Sequence, residues 1–181
     1  MIQSIKKSMV VLFLVAAFTS CNQGPTLQTY YVDNELKPGF ASFDVPTSFI
    51  NVEDIEMTDD QREAYNSVDK LNVLTYIEEN TDDAEYKAEL EKVKAILKNP
   101  KYEELMRGGN STDGKFVVKF LGEVDNIDEL IIFGNANNKG FAIARILGDD
   151  MNAGKLMSLQ SVLQNAKFED TNLNGLTDFF K

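Results

Sequence analysis

The chain has no histidine and one cysteine, Cys21, among its 181 residues. Without imidazole there is no histidine-based catalytic triad, no histidine-ligated zinc and no ordinary proton shuttle at neutral pH. One cysteine forms no disulfide within the chain and supports neither a cysteine-ligated cluster nor a two-thiol redox cycle. No phosphate-binding GxxxxGK[ST] loop and no glycine-rich strand-to-helix turn for a dinucleotide is present, so no cofactor is expected. Positive charge is also scarce, with 18 basic against 29 acidic side chains. That balance argues against sequence-independent binding to nucleic acid or to an anionic surface through charge alone. No repeat of fixed period occurs.

Long apolar runs are missing too. The longest, Met9 to Phe18, has ten residues, where a membrane-crossing helix needs about 20. It follows Lys6 and Lys7 and precedes Thr19 and Ser20, the three-part layout of a bacterial export signal. Phe18, Thr19, Ser20 and Cys21 resemble a lipobox, the cleavage site of bacterial lipoproteins, with Phe18 in place of the usual leucine. The resemblance implies that Cys21 receives diacylglycerol, that residues 1–20 are removed as a signal peptide, and that the new amino group is acylated as well, commonly with palmitate. Each buried methylene adds about 0.8 kcal/mol and two or three chains anchor durably, so the protein is expected to be tethered to a membrane and not embedded in it. Loss of Lys6 and Lys7 leaves 16 basic and 29 acidic side chains, a formal charge of −13.

Residues 21–37, with Gly24, Pro25, Gln28 and Asn34, read as the lipidated cysteine and a spacer. A globular domain is expected over 38–168 and a polar tail over 169–181. "FASFDVP" reads as a short strand ended by Pro46, with a brief turn or helical piece over Thr47 to Ile50. Thr58 with Gln61 three places on predicts a capped helix. "KLNVLTYIE" reads as a strand covered on both sides. Tyr86, Leu90, Val93 and Leu97 share one face of the longest helix, which starts at Thr81 or Asp82 and stops at Pro100. "KYEELMR" reads as a shorter helix closed by Gly108 and Gly109. "KFVVKFLGE", "ELIIFGN" and "GFAIARILG" read as strands, the last two joined as a hairpin through "ANNKG". "AGKLMSLQSVLQ" reads as a final helix with Leu156, Leu159 and Leu163 inward. This order predicts a single α+β domain with a mainly antiparallel sheet of about four strands and helices over at least one face.

The stretches "NSVDKLNVLTYIEE", "YEELMR", "FVVKFLGE", "IDELIIFGN" and "ARILGDDMNAGKLMSL" together resemble the domain of unknown function 4252, found in predicted lipoproteins, especially of Bacteroidetes. The similarity covers about Phe40 to Leu163. The resemblance implies the fold and a lipid-anchored place in the outer membrane, and brings no catalytic or ligand residues with it. In Bacteroidetes lipoproteins an acidic run after the cysteine directs some members outwards. Asn22 to Thr26 lacks one, which favours an anchor facing the periplasm.

Carboxylates are the remaining chemistry, because a glycosidase needs only two acids at about 5 to 9 Å. Asp149 and Asp150 are the best-placed pair, in a turn after a buried strand, where capping of the last helix is the favoured explanation. Glu78, Glu79, Asp82 and Asp83 read as a solvated face. From Asp170, oxygen-bearing side chains fall at places one, three, five and nine (Asp170, Asn172, Asn174, Asp178) with Gly175 at six, as in calcium loops. Lys181 stands where the bidentate glutamate belongs, so a polar tail making turns is the simpler reading. Asn110, Ser111 and Thr112 spell a glycosylation sequon and mark a loop. Tyr30, Tyr31, Phe179 and Phe180 are expected to pack against the domain. The sum is a non-enzymatic envelope module that binds or scaffolds an envelope protein, with a carboxylate-dependent hydrolase and a weak calcium-binding module as alternatives.

Overall fold

The computed structural model describes residues 24–77, 83–110, 112, 114–136, 140–159, 161–162 and 167–168. The first element among the described residues is a helix, α1 (Leu27–Asn34), inside the stretch read as a spacer. Its buried residues, Leu27, Tyr30, Tyr31 and Asn34, are spaced three, four and seven apart, the stripe that faces one direction on a helix. Thr26 and Thr29 cap it reciprocally: the Thr29 amide donates to Thr26 Oγ1 at 3.1 Å and the Thr26 amide to Thr29 Oγ1 at 3.0 Å. The folded body therefore includes at least this part of residues 21–37.

Strand β1 (Phe40–Pro46) leads through a 3-10 turn (Thr47–Phe49) to the two-residue β2 (Ile50–Asn51). Helix α2 (Asp59–Asn66) carries the expected capping box, with Thr58 and Gln61 satisfying each other's amides at 3.0 and 3.3 Å. Strand β3 (Val68–Ile77) and helix α3 (Asp83–Leu97) follow. All four stripe residues of α3, Tyr86, Leu90, Val93 and Leu97, are buried as expected, while Thr81 and Asp82 lie outside the described residues. Next come β4 (Glu103–Asn110), β5 (Gly114–Glu123), β6 (Asn126–Ala136), β7 (Gly140–Met151), α4 (Ala153–Ser158) and β8 (Lys167–Phe168).

The protein is α+β, with one antiparallel sheet of six strands in the order β1-β3-β7-β6-β5-β4 and a short β2-β8 pair beside it. The expected count of about four strands is too low, chiefly because "KYEELMR" is not a helix. Glu103–Asn110 pairs with β5 as an edge strand. Glu, Leu, Met and Arg favour helices when isolated, and here the pairing with β5 overrides that preference. Gly108 and Gly109 accordingly close no helix. Gly109 has φ +98° and lies so near β5 that a Cβ would meet the Gly114 carbonyl at 2.2 Å. The β6-β7 hairpin forms as expected, pairing Ala136 with Gly140. Gly140 is needed for φ +125° and for its approach to β3, since a Cβ there would sit 1.8 Å from the Tyr76 carbonyl.

Helices cover both faces. On one, α1 and α3 pack on Leu74, Tyr76, Ile131, Phe133, Phe141 and Ile143. On the other, α2 and α4 pack on Val118, Phe120, Leu130 and Ile132, and Ile50 of β2 packs with Val45, Val73 and Ala144. Within the expected final helix, α4 ends at Ser158 with a turn at Leu159 and the backbone is helical again at Ser161 and Val162; Leu156, Leu159 and Val162 are buried. Leu163 lies outside the described residues.

Candidate functional site

Residues directly opposite each other in a sheet point to the same face, and the register aligns one row across all six strands beneath α1. From β1 to β4 the row reads Asp44, Asn72, Arg145, Ile131, Lys119 and Glu104. Five of its six members are polar or charged. Glu129, two residues before Ile131 on β6, joins the same face beside Arg145.

Arg145 and Glu129 form a buried ion pair, their side chains 4% and 8% exposed. Arg145 Nε donates to Glu129 Oε1 at 2.6 Å and Nη2 to Oε2 at 3.3 Å, while Nη1 donates to Gln28 Oε1 of α1 at 2.8 Å. Desolvating two charges roughly cancels their attraction, but removing one partner strands the other. The pair therefore fixes a geometry more than it adds net stability. At the β1 edge, Asp44 Oδ1 accepts from the Tyr31 hydroxyl at 2.9 Å and also from Asn72 Nδ2. Towards β4, the Leu27 amide donates to the Tyr102 hydroxyl at 3.1 Å, and Lys119 Nζ donates to the Tyr102 carbonyl at 2.7 Å. The first-turn amides of a helix lack intrahelical partners, so Tyr102 satisfies one that packing would otherwise leave bare. Helix α1 is thus pinned at two points on the row, Arg145 and Asp44, and at Tyr102 beside it.

Beyond the row lies an aromatic cluster. Tyr76 stacks on Phe141 with centroids 5.4 Å apart, and Phe40 meets Tyr76 edge-on at 4.6 Å. The Tyr30 hydroxyl donates to Glu89 of α3 at 2.8 Å, and Lys92 Nζ donates to the other oxygen of Glu89 at 2.5 Å. Burial, and then the hydrogen bonds to Glu89 and Asp44, push the Tyr30 and Tyr31 phenols well above the usual tyrosine range. The Tyr76 hydroxyl is fully buried and has no hydrogen-bond partner among the described residues.

The candidates from sequence are placed elsewhere. Asp149 and Asp150 are exposed at the end of β7, Asp150 with φ +53°, and neither caps the last helix. Asn152 does so, its Oδ1 accepting from the Lys155 amide at 3.1 Å. Tyr30 and Tyr31 are buried in the body. Asp83 pairs with Lys87 on the outside of α3. In the sequon, Asn110 Oδ1 accepts from the Thr112 amide at 2.7 Å, a local turn. Cys21, Asp170, Asn172, Asn174, Asp178, Glu78, Glu79, Phe179 and Phe180 lie outside the described residues. Among the described residues, no group of three or more His, Cys, Asp or Glu side chains is arranged to hold a metal ion, and no helix is long and apolar enough to cross a membrane.

Sequence reasoning missed the row itself. Its signal was available in Arg145, a lone charge inside the apolar run "GFAIARILG", since a charge in a buried strand needs a partner; Glu129, at the head of "ELIIFGN" beside Asp128, carried no such mark.

Fold and site together define a six-stranded antiparallel α+β domain with helices on both faces and a polar seam holding its N-terminal helix. Residues 31–159 match the family described as Domain of unknown function (DUF4252), and the chain belongs to that family. No curated protein and no solved structure matches it.

Proposed function

We propose that the protein is a lipid-anchored module of the bacterial cell envelope, acylated at Cys21, that binds or scaffolds another envelope component and performs no catalysis. It sits on the outer membrane and faces the periplasm. The observation that carries this reading is the position of α1: it starts six residues after Cys21 and is bonded to the sheet through Gln28, Tyr31 and the Leu27 amide. An anchor at that cysteine holds the folded body itself close to the bilayer. The leader before Cys21 and its lipobox-like end support the same reading. So does the use of the row's charged groups, with both oxygens of Glu129 bonded to Arg145 and Asp44 Oδ1 accepting two bonds.

Metabolic labelling with palmitate should mark the protein, and Cys21→Ser should abolish both labelling and sedimentation with membranes. Crosslinking in intact cells should then recover a specific envelope protein. An unlabelled product, or a purified protein that cleaves an envelope glycan, would overturn the reading.

A further inference from the structure

We infer that two copies of this chain join at the free edge of β4, each β4 running antiparallel to the other about a two-fold axis between Leu105 and Met106, so that two sheets become one. The inference does not depend on the anchor at Cys21. In the strand order β4 is an outer strand, and among the described residues no strand pairs with its far side. The unpaired backbone groups of such an edge are a template for another strand. Charges and bulges ordinarily spoil that template. β4 has both, and their arrangement favours pairing with itself.

The bulge falls between Glu104 and Met106. Residues directly opposite each other share a face. Glu104 lies opposite Lys119 and Arg107 opposite Val117, which packs on the α1 and α3 side. Met106 lies opposite Val118 and Gly108 opposite Phe116, and Val118 and Leu105 pack on the α2 and α4 side. Residues three apart in a regular strand point to opposite faces, so the bulge is what brings Glu104 and Arg107 to one face, where they form an ion pair. About the axis between Leu105 and Met106, each Glu104 meets Arg107 of the second copy, Leu105 meets Met106, and Glu103 meets Gly108. Every residue is then opposite one from its own face, and both charged pairs attract. An axis through Glu104 would set two carboxylates against each other.

The same edge carries an apolar rim. Met106 and Phe116 are 39% and 40% exposed, and the Phe116 ring lies so close over Gly108 that a Cβ there would meet it at 2.6 Å. A second β4 covers this rim. Strands β4 and β5 hold three basic and three acidic side chains in a chain of formal charge −11, so the copies meet where their mutual repulsion is small.

Native mass spectrometry of the full-length protein in mild detergent counts the chains per particle whether or not lipid is attached. The wild type should be a dimer at micromolar concentration. Glu104→Arg and Arg107→Glu each turn two attractive cross-strand pairs into repulsive ones, and each should raise the dissociation constant about tenfold. Mixing the two variants should restore a dimer with one chain of each, which also shows that each folds. The reversal Glu104→Arg/Arg107→Glu within one chain should restore it as well. A wild type that stays monomeric through the micromolar range, single variants that dimerise as tightly as the wild type, or a loss that neither the mixture nor the reversal repairs would overturn the inference.

Discussion

The two faces of the sheet are closed by helices through different chemistry. Under α2 and α4 the contact is mainly aliphatic: Val118, Leu130, Leu156 and Leu159 are buried together with Phe120. Under α1 and α3 the aromatic cluster gives way to the polar row, and α1 adds Leu27, Tyr30 and Tyr31 to the apolar contact. Apolar burial is non-directional and tolerates small shifts, whereas the Arg145–Gln28 and Tyr31–Asp44 bonds exist in only one placement of α1. The polar lock fixes where α1 sits on the sheet.

The largest effect that would sharpen this contrast is at Arg145. Arg145→Met should cost about 3–5 kcal/mol in urea unfolding, because Glu129 is left buried without its cation. The double variant Arg145→Met/Glu129→Met should recover most of that loss, as apolar replacement of a whole buried pair is often neutral or better. On the opposite face, Leu130→Ala should cost about 2–5 kcal/mol by opening a cavity, and it should show no coupling to Glu129→Met. Equal rescue at both faces would erase the distinction.

Smaller effects separate satisfied from unsatisfied hydroxyls within the aromatic half. Tyr30→Phe should destabilise by about 1.5–3 kcal/mol, since its bond is to a charged acceptor. Tyr76→Phe should be neutral or stabilising by about 1 kcal/mol, because the hydroxyl removed has no partner among the described residues. Alkaline titration follows from the same groups. A phenol whose folded pKa is raised keeps its proton more tightly in the folded state, so its contribution is complete below the unfolded value of about 10 and is lost as pH rises above it. Unfolding monitored above pH 10 should show stability falling, with a shallower slope in Tyr30→Phe and Tyr31→Phe.

What could be read in the sequence follows how local each signal is. The Thr58 capping box, the α3 stripe and the β6-β7 hairpin are set by residues within a few places of one another, and all three stand as expected. Strand β4 was hidden because its helical composition is overruled by pairing with β5, a contact the segment itself does not encode. Helix α1 was legible in principle from Thr26, Thr29 and the stripe of Leu27, Tyr30, Tyr31 and Asn34, but its fourth buried position is an asparagine and its neighbours are polar. The row needed strand register: Asp44 and Glu104 stand at its two ends, 60 positions apart in sequence, and only the order β1-β3-β7-β6-β5-β4 brings them into line.

The most direct measurement is native-state hydrogen exchange at the amides of Tyr30 and Asn34, inside α1. If α1 is locked to the row, these amides exchange as slowly as those of Leu74 and Ile143 in the central strands, and Arg145→Met speeds them selectively. Exchange at the rate of an unstructured chain in the wild-type protein would make residues 21–37 a spacer after all and contradict the account.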